Sequence, residues 1–518
     1  MSIESIRSQI GEAFFSRRAH RFGSSASRSR HPTGAAALAA LCVLAAGCAM
    51  NPVSGRPEMT LISVEQEKKI GSEEAKKVEE QMGLADTPSF TPYLESLGRR
   101  LAEQSPRQDV THEFHVADMI EPNAFALPGG FVYVSRGLLA LANSEDELAG
   151  VVGHEIGHVA ARHTVQRISK QGPFAVIFGI ASGVTGIVSP TVGHVIGGVG
   201  EFSQSLVFAP YGRGQESEAD RVGQEMAARA GWDPAALSVF LASLEAEVNL
   251  HLKEPRKPSF FDSHPATPDR VAKTAAHAKD LKRADKAPIS PSREAFLARL
   301  DGMVVGQRAE NGIFEGPRFL HPELNFFVQF QEKWTHENTP QRLASAAPDG
   351  EAAVVLGTAG KGSDPLDGAR HVEKELKTDI VSKTATFSIN GLPAARTRIP
   401  AGSGLDLEIT WIAYNGTIYQ VVGLAPERKF NQYKPVFDSV AGSFRPLEPA
   451  ERAGIKEKRL RLVKARAGET PEALAGRAHS AWKADEIAVV NGLKAGQTFT
   501  EGQVVKVAIA EPYEPKAK

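Results

Sequence analysis

Between Asn51 and about Arg283 the apolar positions recur mostly with a helical period. Ser63 to Met82 and Thr91 to Glu103 read as amphipathic helices, and further helices are expected near Glu145 to Arg167, Glu216 to Ala230, Pro234 to Val248 and Pro268 to Lys282. Gly231 followed by Asp233-Pro234 reads as a stop and restart. Glycine ends one helix in a left-handed conformation, Asp233 caps the next, and Pro234 fills a first turn that needs no amide hydrogen. One interruption breaks the helical pattern. HEFHVADMI and NAFALPGGFVYVSRGLL alternate apolar and polar residues around Pro128-Gly129-Gly130, which predicts two short strands joined by a turn.

Past Pro288 the period shortens. LNFFVQF, EAAVVLGT, TATFSING, LEITWIAYN and GTIYQVVGLA alternate, predicting a separate α+β unit with an antiparallel sheet over 288–446. A charged helical linker, carried by AERAGIKEKR, is expected over 447–458, and 459–510 reads strand, helix, helix, strand. The fold class is therefore multidomain: a mainly α-helical unit with a small β-sheet over 48–285, an α+β unit, and a small βααβ unit.

Composition narrows the functions open to this chain. Its 518 residues carry 60 basic and 61 acidic side chains, net charge -1, so no global charge points to a nucleic-acid partner. The two cysteines, Cys42 and Cys48, both lie near the N-terminal apolar run, which excludes a disulfide framework and a thiolate metal site in the body. Arg17, Arg18, Arg21, Arg28 and Arg30 precede the run Gly34 to Ala46, too short to span a bilayer, and LAAGC ends it; residues 1–47 read as a secretory signal. Ala45-Ala46-Gly47-Cys48 resembles a bacterial lipobox, which implies lipidation at Cys48. Ala45 stands where leucine is commonest, and a plain signal cut elsewhere is the alternative. Ala49 after the cysteine favours the outer membrane.

The chemistry centres on VVGHEIGHVAARH. His154 and His158 stand one helical turn apart, so both imidazoles project from one face at a spacing that grips a metal ion. Glu155 can reach a water acidified by that metal and act as general base. HExxH also occurs by chance in long helices, so a third ligand is needed. GRGQESEADRVG supplies it: Glu216 is assigned to the metal, and Asp220, four residues on, to support of a ligand histidine. The competing reading is a solvated acidic helix face. With no thiolate available, any metal must be held by histidine and carboxylate, and the motif leads to the expectation of one zinc ion per chain. Arg162, His163 and Arg213 are expected to support the site or the fold.

GHEIGHVAARH, ESEAD-RVG, NAFALPGGFVYVSRGLL, NPVSG and SHPATPDR together resemble the zinc metallopeptidase family that includes the CAAX prenyl proteases, HtpX and periplasmic BepA-type lipoprotein proteases, over about Asn51 to Lys282. The resemblance implies an endopeptidase with Glu216 as third ligand. It also implies a strand at Phe131 to Ser135 bordering the cleft, where a substrate adds by β-augmentation. Asn123, Gly129, Gly130, Phe131, Val132 and Tyr133 would form that substrate-binding rim. His264 has three readings: a plug that occupies the metal, a group that steadies the oxyanion, or a structural histidine before Pro265.

Gly172 to Gly200 holds no Asp, Glu, Lys or Arg, and Pro190 and the glycines divide it into pieces shorter than the ~20 residues a spanning helix needs. Buried or lid helices are expected there, a membrane hairpin being the alternative. Ala467-Gly468-Glu469-Thr470, Asn491-Gly492-Leu493 and Gly502-Gln503-Val504 resemble a LysM module, which implies attachment to peptidoglycan; turn glycines of an unrelated domain are the alternative. FDSVAGSFRPL resembles the end of PsbP-like folds. The function implied is proteolysis of unfolded or misassembled envelope proteins in the periplasm, outer-membrane-anchored, in protein quality control. The rival is a latent or non-catalytic zinc-bound chaperone or scaffold.

Overall fold

A strand at Cys48–Met50 (β1) turns back through Asn51, whose side-chain oxygen accepts from the amides of Val53 (2.7 Å) and Ser54 (3.1 Å), and pairs antiparallel with Pro57–Met59 (β2). The computed structural model describes residues 48–515 except 60–61, 86, 171–209, 251–259, 266, 340–342 and 403. The expected signal and the uncharged Gly172 to Gly200 segment lie outside the described residues.

Helix α1 (Val64–Met82) starts on a reciprocal cap in which Ser63 and Gln66 each accept the other's amide. Helix α2 (Thr91–Ala102) follows, then three strands, β3 (Glu113–Ala117), β4 (Ala124–Ala126) and β5 (Phe131–Ser135). The sheet runs β3-β5-β4, with β5 parallel to β3 and antiparallel to β4, one strand more than the alternation predicted. Next come α3 (Arg136–Leu141), α4 (Glu145–Ala160), α5 (His163–Lys170), α6 (Arg213–Ala230), α7 (Ala236–Leu250), α8 (Phe260–Ser263) and α9 (Pro268–Ala278).

Two helix expectations shift. The run Glu145 to Arg167 is broken at Arg162, which takes a left-handed φ of 57° so that its guanidinium reaches the buried Glu67 (3.0 Å) and the Ile62 carbonyl (2.8 Å). Asp233 accepts the Ala235 amide and so holds a turn, and α7 begins at Ala236 rather than Pro234.

The main core gathers Leu94 and Leu97 of α2, Val132 and Val134 of β5, Leu148, Val152 and Ile156 of α4, Met226 of α6, and Phe240 and Leu244 of α7. It continues without a break into Phe296, Leu297, Leu300 and Leu460, far along the chain.

After residue 288 a seven-stranded antiparallel sheet has Leu392–Gly402, Leu405–Tyr414, Thr417–Pro426 and Ala353–Lys361 as its long neighbours. Helix Phe430–Gly442 covers one face and Leu366–Leu376 the other. Adjacent residues therefore serve different cores, Ile412 and Val421 one, Trp411 and Val422 the other. A strand at Lys456–Lys464 pairs antiparallel with Val504–Pro512 around helices Pro471–Ala478 and Ala484–Val490, the expected order. AERAGIKEKR, expected as helical linker, is helical only to Gly454; Ile455 is buried beside Ile313 and Leu447, and strand begins at Lys456.

Candidate metal centre

Helices α4 and α6 touch backbone to backbone. A Cβ on Gly153 would lie 3.0 Å from the Gly223 carbonyl oxygen, one on Gly157 2.9 Å from that of Ala219, and one on Gly223 2.7 Å from the His154 nitrogen. This contact carries Glu216 and Asp220 of α6 up to the two histidines of α4. Ser144 caps α4 by accepting the Glu147 amide at 3.1 Å.

His154, His158, Glu216 and His264 converge, all buried, with one ligating atom of each within 4.8 Å of the others. His154 Nε2 stands 3.0 Å from His158 Nε2 and 3.1 Å from His264 Nδ1; Glu216 Oε1 stands 3.0 Å from His264 Nδ1 and 3.3 Å from His158 Nε2. Four donors held at about 2.0–2.1 Å around a tetrahedral ion stand roughly 3.3 Å apart, close to this spacing. Protons alone satisfy such a cluster poorly, because neutral rings offer one N–H each and the lone pairs face one another. The donor set therefore fits a metal ion of zinc's ligand preference.

Three of the four donors have a partner behind them. Asp220 Oδ1 lies 2.9 Å from His154 Nδ1, and Arg270 of α9 clasps Asp220 with two bonds of 2.7 Å while its third nitrogen lies 2.7 Å from Glu216 Oε2. His158 Nδ1 meets His163 Nδ1 at 2.9 Å, and His163 Nε2 meets Glu218 Oε2 at 3.1 Å.

Burial pushes the Glu216 carboxyl up, yet the charges of His264 and Arg270 outweigh it and hold the group well below its ordinary value, ionised. Burial likewise opposes ionised Asp220, and Arg270 reverses the balance. For His158 burial prevails and lowers its pKa well below the usual histidine range, leaving the neutral ring a ligand requires. Glu155 is fully buried and raised by that burial, against the pull of His264 and His154. Among the described residues neither oxygen has a hydrogen-bond partner, and Oε1 stands 3.6 Å from His264 Nε2. A buried carboxylate without a hydrogen-bond donor beside a donor cluster is suited to taking a proton.

His264 is thus part of the cluster and not a distant cap. It follows α8, its amide bonds the Phe260 carbonyl at 2.7 Å, and its ring stacks on Phe260 at 4.3 Å. The predicted rim fares differently. β5 lies in the middle of its sheet, paired on both sides, so it has no edge for a substrate, and Val132 and Tyr133 are wholly buried. Gly129 and Gly130, at φ 81° and 101°, pack against Lys68 and the Thr111 carbonyl, and Phe131 belongs to the cluster under α1. The expectation that residues 129–133 form the rim is corrected: the extra strand β3 takes the outer side of β5. β3 and β4 are the two outer strands; β4, buried along its length, runs on from Asn123, whose buried side-chain amide has no partner among the described residues.

Arg162 anchors the break after α4, and Arg213 opens α6 on its exposed side, outside the cluster. Sequence reasoning did not single out Arg270 or Tyr211. Tyr211 stacks on His158 at 3.9 Å, its hydroxyl 2.8 Å from Thr164 Oγ1. SHPATPDR contained Arg270, but nothing in local spacing ties a residue on α9 to Asp220 on α6.

Residues 88–278 match the model of Peptidase family M48. The chain is similar to the β-barrel assembly-enhancing protease of Yersinia pestis, 28% identical over 254 residues, 48% of this chain and 51% of that protein, so it spans about half that relative's length. It is also similar to the metalloprotease LoiP of Escherichia coli, 28% identical over 225 residues, 43% of this chain and 83% of that protein. The solution structure of the PsbP protein of the cyanobacterium Synechocystis aligns with 27% of this chain and 98% of its own at 12% identity. Its TM-score of 0.19 carries no argument for the fold.

Proposed function

We propose, on the premise that residues 88–278 belong to peptidase family M48, that the protein is a zinc-dependent endopeptidase of the bacterial envelope, acting on unfolded or misassembled proteins. The observation that carries the reading is the convergence of His154 Nε2, His158 Nε2 and Glu216 Oε1 at tetrahedral spacing, with Glu155, which has no hydrogen-bond partner among the described residues, beside them. Zinc, when bound, polarises a scissile carbonyl and acidifies water. Glu155 then takes the water's proton and delivers it to the leaving amine, so no covalent acyl-enzyme is needed. Asp220 orients His154, and Arg270 keeps Asp220 and Glu216 ionised and in place. β4 is an outer strand of its sheet, the position that backbone pairing with an extended peptide requires, and the Asn123 amide beside it has a donor and an acceptor without partners among the described residues.

His264 supports a second, related reading, latency. As a fourth donor it closes the position that catalysis needs open, so the enzyme would rest until the segment after α8 moves. Lipidation at Cys48, export by residues 1–47, and peptidoglycan binding by a LysM-like module over 459–510 complete the proposal. Among the described residues no helix is long and apolar enough to cross a membrane.

The test is cleavage of casein or an unfolded outer-membrane protein, with and without chelator. Glu155→Gln should abolish turnover while zinc content stays at one ion per chain; residual cleavage by that variant would remove Glu155 from its role.

A further inference from the structure

Behind His158 lies a chain of groups that the reaction just described does not use. His163, wholly buried at the start of α5, places Nδ1 2.9 Å from His158 Nδ1 and Nε2 3.1 Å from Glu218 Oε2. Glu218 is half-buried on α6 and also receives a hydrogen bond from the side chain of Asn51. The Asn51 oxygen is already taken by the amides of Val53 and Ser54, so its NH2 is the end that faces the carboxylate.

With a metal at the cluster, proton accounting leaves one sound arrangement. If His163 Nδ1 carried the hydrogen, its bare Nε2 would oppose the Glu218 carboxylate, and His158 Nε2 would carry a hydrogen where the proposed metal needs a lone pair. With hydrogen on His163 Nε2, Glu218 accepts it, His163 Nδ1 accepts the hydrogen of His158 Nδ1, and His158 Nε2 presents its lone pair to the cluster.

We infer that His163 and Glu218 are positioning residues of the metal centre, a carboxylate–imidazole relay that sets the tautomer and ring orientation of His158, with Asn51 steering the carboxylate. The inference rests on the proposed metal site. It makes the two ligand histidines differ: His154 is backed directly by Asp220, whereas His158 is backed through a second imidazole that ends at the turn just after Cys48. The NPVSG turn thereby becomes part of the metal site's support.

The experiment is zinc affinity of the full chain by competition with a chromophoric chelator, alongside the visible spectrum of the cobalt-substituted protein. Wild type is expected to bind one zinc. His163→Phe, which fills the space without an acceptor, should weaken zinc by about 10–100-fold and shift the cobalt bands. His163→Gln, with an oxygen for His158 and an NH2 for Glu218, should restore the spectrum and bring affinity within about 3-fold of wild type. Glu218→Ala and Asn51→Ala should fall between, in that order of severity, and they carry the test if His163→Phe does not fold. Wild type that binds no zinc removes the proposed site and this inference together. Wild type that binds zinc, with variants matching it in affinity and cobalt spectrum, overturns the relay and leaves the site standing.

Discussion

On the proposed function, His264 is the residue on which activity would turn. Its Nδ1 stands 3.1 Å from His154 and 3.0 Å from Glu216, where a fourth ligand would stand, and its Nε2 approaches Glu155. His264→Ala leaves three protein ligands and an open position, the catalytic count. Peptidase activity is expected to rise several-fold with zinc retained, measured as kcat on a quenched peptide. A fall of kcat with zinc still bound would instead make His264 a catalytic group. Arg270 illustrates the limit of reading residues singly: it binds Asp220, Glu216 and the His264 carbonyl at once, so its weight comes from three elements meeting.

Elements bring these groups together through small residues. Gly223 meets the His154 backbone so closely that Gly223→Val must part α4 from α6. Overpacking of this kind costs about 1–3 kcal/mol, and here it also withdraws Glu216 from the histidines. A lower melting temperature together with lost zinc is expected; a variant that binds zinc as wild type does would refute this view of the helix pair. Elsewhere the helix Pro449–Gly454 is pinned by Glu451, which Arg445 grips with two bonds (2.8 and 2.9 Å) and Arg318 with a third (2.8 Å). Those bonds, the Arg445 pair foremost, hold its carboxyl down at about 2 against an ordinary 4.5. A depressed carboxylate stabilises fully above its unfolded value and loses that contribution as pH falls through the folded one. The gap in melting temperature between wild type and Glu451→Gln should therefore be largest above about pH 4.5 and close toward pH 2. A gap that does not vary with pH would exclude this ion pair as its source.

At the scale of the whole molecule, the C-terminal strands and helices are docked on the unit that carries the histidine cluster. Lys506 is wholly buried, and its ammonium donates to the carbonyls of Ala140 (2.7 Å), Leu141 (3.2 Å) and Ala142 (2.8 Å) at the open end of α3. Lys506→Met would leave those carbonyls bare, at a cost of about 1.5–3 kcal/mol for lost charged hydrogen bonds. Denaturant unfolding should shift by that amount, and limited proteolysis should cut sooner between the two units; an unchanged midpoint would mean the docking does not depend on this lysine. Such long-range joints are where sequence reading stops. The sequence by itself determined the helix and strand periods, the one-turn spacing of His154 and His158, Glu155 between them, and the carboxylates Glu216 and Asp220 on one helix face. Each is local, set by backbone periodicity within a few residues. Only the tertiary structure decided that His264 enters the cluster, that Arg270 clasps it, that β5 lies between β3 and β4, and that Lys506 closes α3. Those depend on which distant segments pack together, and packing follows from complementary burial over the whole core rather than from any local pattern.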